Sequence, residues 1–105
     1  MHGSLPQPDI ILLDEPTNHL DLASSIELVS WLRRYAADGG KSVIGVLHDL
    51  NLTLRLADRL LLLDDGRLTA SGSTREVLGS SALADAYGID VAGYMRSSLA
   101  LWNEI

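Results

Sequence analysis

The chain predicts an α/β fold, with parallel strands joined by crossover helices and followed by antiparallel hairpins, on three observations. Strand-like and helix-like segments alternate through the first 64 residues. Two apolar runs of strand length, Ile10–Leu13 and Val43–Leu47, flank a segment of helical period. Beyond them, an Asp-Gly pair separates two more strand-like runs. Alternation of this kind favours a parallel sheet with crossover connections, and Asp-Gly suits the left-handed positions of a tight hairpin turn.

Taken in order, Pro6 and Pro8 break any early helix, so Asp9-Ile10-Ile11-Leu12-Leu13-Asp14 reads as a short buried strand ending at Asp14. Pro16-Thr17-Asn18-His19 is turn chemistry, and Asp21 is placed to cap the next helix by accepting from a first-turn N–H. That helix should run from Leu22 to about Ala37. Ile26, Val29, Leu32 and Ala36 repeat at helical spacing, Leu28 and Tyr35 widen the stripe, and Gly39-Gly40 supplies the stop. Ser42–Leu47 is a second strand, which delivers His48 at its carboxyl end. Asn51–Ala57 reads as a short helix with Asp49 as N-cap, and Arg59–Leu63, Asp64-Asp65-Gly66 and Arg67–Ser71 as a hairpin. Ser73 and Glu76 have capping-box spacing, and short helices follow at about Thr74–Leu78 and Ser81–Tyr87. Ile89–Arg96 and Leu99–Trp102, turning at Ser97-Ser98, read as a second hairpin, and Trp31 and Trp102 as packing residues. No internal repeat, low-complexity run or linker interrupts the pattern.

At 105 residues the chain has the length of one domain, or a piece of one. Hydrophobic residues at 47% and charged residues at 21% are a globular mix that should bury a core. The apolar runs fall far short of the roughly 18 residues that cross a bilayer. A formal net charge of −6 disfavours a sequence-independent grip on nucleic-acid phosphates, so any phosphate bound here is small and held locally. With no cysteine there are neither disulfides nor thiolate metal sites. Met1-His2-Gly3-Ser4 is too short and polar for a signal peptide, and a cytosolic chain is expected.

The strongest chemical signal is Ile10-Ile11-Leu12-Leu13-Asp14-Glu15-Pro16-Thr17-Asn18-His19-Leu20-Asp21. An apolar strand ending in two adjacent carboxylates puts them at the carboxyl edge of a sheet, where open α/β folds bind ligands. The first carboxylate can hold Mg²⁺ directly or through its waters, and the second can orient or deprotonate an attacking water. His48, about one crossover later, falls on the same edge, within reach of a terminal phosphate oxygen. His2, His19 and His48 lack metal-ligand spacing, which argues against zinc.

The segment from Ile10 to Asp21 resembles the Walker B strand and D-loop of the ATP-binding cassette (ABC) family, the nucleotide-binding subunits of ABC transporters. Val46-Leu47-His48-Asp49-Leu50-Asn51 is similar to its switch-histidine region, and Ala57–Gly72 with Glu76-Val77-Leu78 to the end of a cassette. The resemblance spans about residues 5 to 90. More weakly, Gly88–Ile105 resembles the terminal hairpin of importer subunits for chelated iron, haem or cobalamin. It implies a P-loop NTPase (RecA-like) cassette core, with Asp14 as the magnesium-associated carboxylate, Glu15 as the catalytic carboxylate that polarises the hydrolytic water, and His48 as the switch histidine. Asp21 would belong to the D-loop, which in the family reaches across a nucleotide-sandwich dimer.

Residues 1–105 contain no Gly-rich P-loop with Lys and Ser/Thr, no Leu-Ser-Gly-Gly-like signature loop and no aromatic adenine-stacking loop. The expectation is therefore the carboxyl-terminal portion of one ABC ATP-binding domain, lacking the Walker A strand and inactive alone. The resemblance implies that the intact subunit binds ATP and Mg²⁺ between two cassettes and powers uptake of chelated iron, haem or cobalamin. Its partners would be a second cassette, membrane permease subunits and, through them, a substrate-binding protein, with no nucleic acid. Its place would be cytoplasmic, at the inner face of the cell membrane. Asp-Glu-Pro-Thr-Asn-His-Leu-Asp-Leu at 14–22 also occurs in soluble ABC proteins that act on the ribosome. Those tend to follow Ser-His-Asp with Arg and an aromatic-rich stretch, whereas Leu47-His48-Asp49-Leu50-Asn51-Leu52 is importer-like. A non-catalytic interaction fragment is the third reading. Without the Walker A strand, the strands ending near His48 and at Arg59–Leu63 keep open edges, which predicts self-association or local rearrangement.

Overall fold

The computed structural model describes residues 9–105, so the break expected at Pro6 and Pro8 and the polar start Met1–Ser4 lie outside the described residues. Two compact units divide the chain, one ending at Leu56 and the other spanning Ala57–Ile105.

The first unit is a β-α-β-α run: β1 (Ile10–Asp14), α1 (Leu22–Ala37), β2 (Ser42–Val46) and α2 (Leu50–Leu56). β1 and β2 pair in parallel, with Ile10 opposite Ser42 and Asp14 opposite Val46, as expected of a strand-helix-strand crossover. A Cβ at position 45 would stand 3.3 Å from the Cβ of Leu13, directly across the ladder, so the glycine admits this close pairing. Ile11, Leu13 and Val43 are half-covered, whereas Ile10, Leu12, Ile44 and Val46 are 56–75% exposed. The expectation of a buried β1 is thereby corrected to a strand covered on one face. α1 packs on β2, but among the described residues of this unit no element covers the opposite face, which parallel sheets usually bury.

α1 keeps its expected bounds, and of the expected stripe Leu28, Val29, Leu32 and Tyr35 are covered. Leu28, Leu32 and Tyr35, at i, i+4 and i+7, turn inward, while Ile26 and Ala36 are exposed. Leu32, Tyr35, Leu52 and Thr53 form the core of this unit. The Arg33 guanidinium donates to the Arg55 carbonyl, tying α1 to the end of α2. Trp31 stacks on Tyr35 with ring centroids 5.4 Å apart, the packing role expected of it. At the start of α2, the Leu52 N–H donates to Asp49 Oδ1 at 3.1 Å, which makes Asp49 the expected cap.

The second unit opens with an antiparallel hairpin, β3 (Arg59–Asp64) and β4 (Arg67–Ser73). Asp65 at φ 51° and Gly66 at φ 75° take the two left-handed positions of its turn. α3 (Thr74–Leu78) starts where β4 ends. The Ser73 hydroxyl accepts from the Glu76 N–H at 3.2 Å, and the Thr74 N–H donates to the Asp58 carbonyl at 3.1 Å, locking the helix start to the hairpin base. α4 (Ser81–Tyr87) and α5 (Val91–Asn103) complete the unit around Val77, Leu83 and Val91.

α5 replaces the second hairpin expected at Ile89–Arg96 and Leu99–Trp102, and with it the likeness of this tail to a terminal hairpin. Two local reasons favour helix. Asp90 accepts from the Gly93 N–H at 3.1 Å, capping the first turn, and Val91, Met95 and Ser98 recur at helical spacing on the covered face. Ser97-Ser98 also lacks the Gly or Asn that a two-residue hairpin turn favours. Trp102 is 73% exposed, which corrects its expected packing role. Among the described residues no helix is long and apolar enough to cross a membrane.

Candidate functional site

The parallel pairing of β1 and β2 brings the carboxyl ends of both strands to one edge. Asp14 is the last residue of β1, and the Glu15 N–H extends the ladder by donating to the Val46 carbonyl at 2.9 Å. There the chain leaves the sheet abruptly. Glu15 adopts φ 47°, the Asn18 N–H closes back on the Glu15 carbonyl at 3.0 Å, and the Leu20 N–H closes on the Thr17 carbonyl at 3.0 Å. These turns fold residues 15–20 over the strand end. Two residues past β2, His48 arrives at the same place.

His48 Nε2 lies 2.8 Å from Glu15 Oε1. An ionised carboxylate only accepts, so this contact puts the imidazole proton on Nε2. The other carboxylate oxygen is also engaged, since Asn18 Nδ2 donates to Glu15 Oε2 at 3.2 Å. Exposure of the Glu15 side chain is 36% and of His48 76%, so the pair is open to an incoming ligand. Asp14 is exposed and has no side-chain hydrogen bond or ion pair among the described residues. A lone exposed carboxylate fits a magnesium ion that keeps several waters and takes its remaining ligands from phosphate oxygens. It does not fit a cation that needs an all-protein cage, and among the described residues no three His, Asp or Glu side chains cluster for one.

Asp21 serves the helix, as its position before Leu22 predicted. Its Oδ1 accepts from the Ser24 N–H at 2.7 Å, capping α1. The Ser24 backbone N–H, reinforced by the Ser24 side chain, holds the Asp21 carboxyl below the ordinary aspartate range, against a small opposing effect of desolvation. A carboxyl depressed in the folded state binds its proton more readily when unfolded. Its contribution to stability is therefore complete above the ordinary aspartate range and disappears as the pH falls through the lowered value. Acid titration followed by helical circular dichroism should show the wild-type and Asp21→Ala chains converging in stability at the acid end and separating above it; a constant difference across the range would contradict the assignment.

The structure thus brings Glu15 and His48 into direct contact, leaves Asp14 beside them at the strand end, and turns Asp21 toward α1. Sequence reasoning gives Asn18 only turn chemistry and a place in the D-loop-like segment. Its third-residue spacing after a carboxylate was the only sequence signal of the contact it makes.

No family model matches the chain. It is 48% identical over 83 residues to the hemin import ATP-binding protein of Bradyrhizobium diazoefficiens, an alignment covering 79% of this chain and 31% of that protein. The petrobactin import ATP-binding protein of Bacillus anthracis is 36% identical over 81 residues, covering 77% and 32% respectively. Among solved structures, a metal-chelate type ABC transporter in an inward-facing conformation superposes with TM-score 0.68 at 34% identity, covering 76% of this chain and 32% of that one. Over the aligned stretch the chain is similar to the ATP-binding subunits of ABC importers. It spans about a third of the length of the curated relatives it matches. Its mixed α/β architecture, with one parallel and one antiparallel strand pair among the described residues, is part of an ABC ATPase fold, a form of the P-loop NTPase fold.

Proposed function

We propose that this chain supplies the hydrolytic part of the nucleotide site of an ABC importer subunit, which couples ATP + water to ADP + phosphate with uptake of chelated iron, haem or cobalamin. The observation that carries it is the meeting of Glu15 and His48 at 2.8 Å beside the free carboxylate of Asp14, all at one sheet edge. Glu15 is placed to orient the attacking water and take its proton, and His48 to hold Glu15 and reach a terminal phosphate oxygen. Asp14 would hold Mg²⁺, whose chemistry there is neutralisation of charge on the phosphates. Asp21 and the turns before it would face a second cassette in a homodimer. Membrane permease subunits, and through them a substrate-binding protein, are the further partners, which puts the assembly at the inner face of the cell membrane. The hemin and petrobactin import names of the relatives support this reading over action on the ribosome.

A P-loop supplies the backbone amides and lysine that hold ATP before reaction, and residues 1–105 contain none. Isothermal calorimetry of the 105-residue chain with MgATP should therefore give no micromolar isotherm, and no phosphate should be released. Micromolar binding would overturn the assignment of this chain to the hydrolytic half alone. Within each unit β2 and β3 have one hydrogen-bonded neighbour apiece, and such edges favour a second copy. Sedimentation equilibrium should report dimers or larger species, and a monomer across the micromolar range would exclude this pairing.

A further inference from the structure

We propose that Asn18 is a positioning residue for the Glu15 carboxylate, acting as the second half of a clamp whose first half is His48. The proposal rests on the reading of Glu15 as the residue that handles the attacking water, and it adds a member to that site. The two donors take different oxygens: His48 Nε2 stands 2.8 Å from Oε1, and Asn18 Nδ2 3.2 Å from Oε2. One donor alone leaves a carboxylate free to turn about its last torsion, which is broad and roughly two-fold. Two donors on separate oxygens fix its plane. An ionised carboxylate has about four acceptor positions, so the clamp leaves room for a water on the open side, and the Glu15 side chain is 36% exposed.

The backbone supports the same conclusion. Glu15 sits at φ 47°, a left-handed conformation that is strained for a non-glycine residue and persists where its surroundings over-determine it. Here it is held by the ladder bond to the Val46 carbonyl and by the Asn18 N–H closing on its own carbonyl at 3.0 Å. That turn brings the Asn18 carboxamide back over the residue whose carbonyl it closes on. Asn18 therefore binds Glu15 twice, once through backbone and once through side chain. The side-chain bond joins two groups at the surface, and its effect falls on the orientation of the carboxylate.

The test separates a donor from a turn former. Aspartate has the shape and turn preference of asparagine but, when ionised, offers Glu15 only acceptors. In a full-length subunit in which this chain replaces the matching third of the Bradyrhizobium hemin import relative, Asn18→Asp and Asn18→Ala should each lower kcat by about 10- to 100-fold, with KM for MgATP unchanged. Wild-type kcat in Asn18→Asp would overturn the proposal. On the 105-residue chain, the Asn18 side-chain amide proton that donates to Glu15 should be shifted downfield in 15N–1H spectra and should move upfield in Glu15→Ala. Unchanged amide signals in that variant would also overturn it. If Glu15→Gln leaves turnover intact while the Asn18 signature persists, the water-handling role of Glu15 fails and the clamp geometry survives. If Glu15→Gln abolishes turnover and Asn18→Asp does not lower it, the clamp fails alone.

Discussion

Glu15→Gln is expected to lower ATP turnover by about 10²- to 10⁴-fold in a full-length subunit carrying this chain, the range that loss of a positioned general base produces. ATP binding should persist, leaving the closed, ATP-loaded dimer to accumulate. The substitution keeps side-chain length but alters the hydrogen bonding at two points. Glutamine offers one accepting oxygen where the carboxylate offered two, and both neighbours, His48 Nε2 and Asn18 Nδ2, donate to Glu15. One of the two neighbours must then accept from the glutamine NH₂: the imidazole by moving its proton to Nδ1, or the Asn18 carboxamide by turning over to present Oδ1. 15N ring shifts of His48 tell the two apart, since the tautomer changes in the first case and stays in the second. Turnover at the wild-type rate would remove Glu15 from the reaction. Loss of ATP binding along with turnover would mean that the residue holds the ground state instead.

The parts of this architecture that were legible in the sequence are those specified by local chemistry. β1 and β2 are short apolar runs bounded by turn residues, Asp21 and Asp49 stand directly before the helices they cap, and Asp65-Gly66 fits the left-handed turn it occupies. The site is legible for a related reason. The end of a parallel strand is a fixed place, so naming the last residues of β1 and β2 already puts Asp14, Glu15 and His48 on one edge. What escaped was decided at longer range or by balance between close alternatives. The tail from Val91 to Asn103 alternates too weakly to exclude a strand, and the Asp90 cap tipped it to helix. The face of α1 that turns inward depends on where α2 packs, which no periodicity within α1 reports, so Ile26 and Tyr35 exchange the importance their order suggests. The contact of Asn18 with Glu15 depends on the left-handed backbone at Glu15, a conformation that a glutamate rarely announces.

Leu32→Ala should unfold much of the first unit. Leu32 is 1% exposed and is the largest side chain fully buried among the described residues, at the centre of a core shared with Tyr35, Leu52 and Thr53. Truncating such a leucine costs about 2–5 kcal/mol, from lost transfer energy and the cavity left behind. Domains hold roughly 0.05–0.15 kcal/mol per residue, so a unit that ends at Leu56 has little more than this to lose. The effect should reach the site, because α1 anchors the far end of the turn that carries Glu15 and Asn18. Urea unfolding followed by helical circular dichroism is expected to show the loss, together with collapse of the downfield Asn18 amide signal. Ile26→Ala is the control. Ile26 lies on the same helix and is as apolar, but it is 58% exposed, and truncation there should cost no more than about 0.5 kcal/mol in the monomeric chain. Equal losses at both positions, growing with protein concentration, would show instead that a second copy covers the Ile26 face and that the stable unit is the assembly. A Leu32→Ala chain as stable as wild type would mean that the core lies elsewhere.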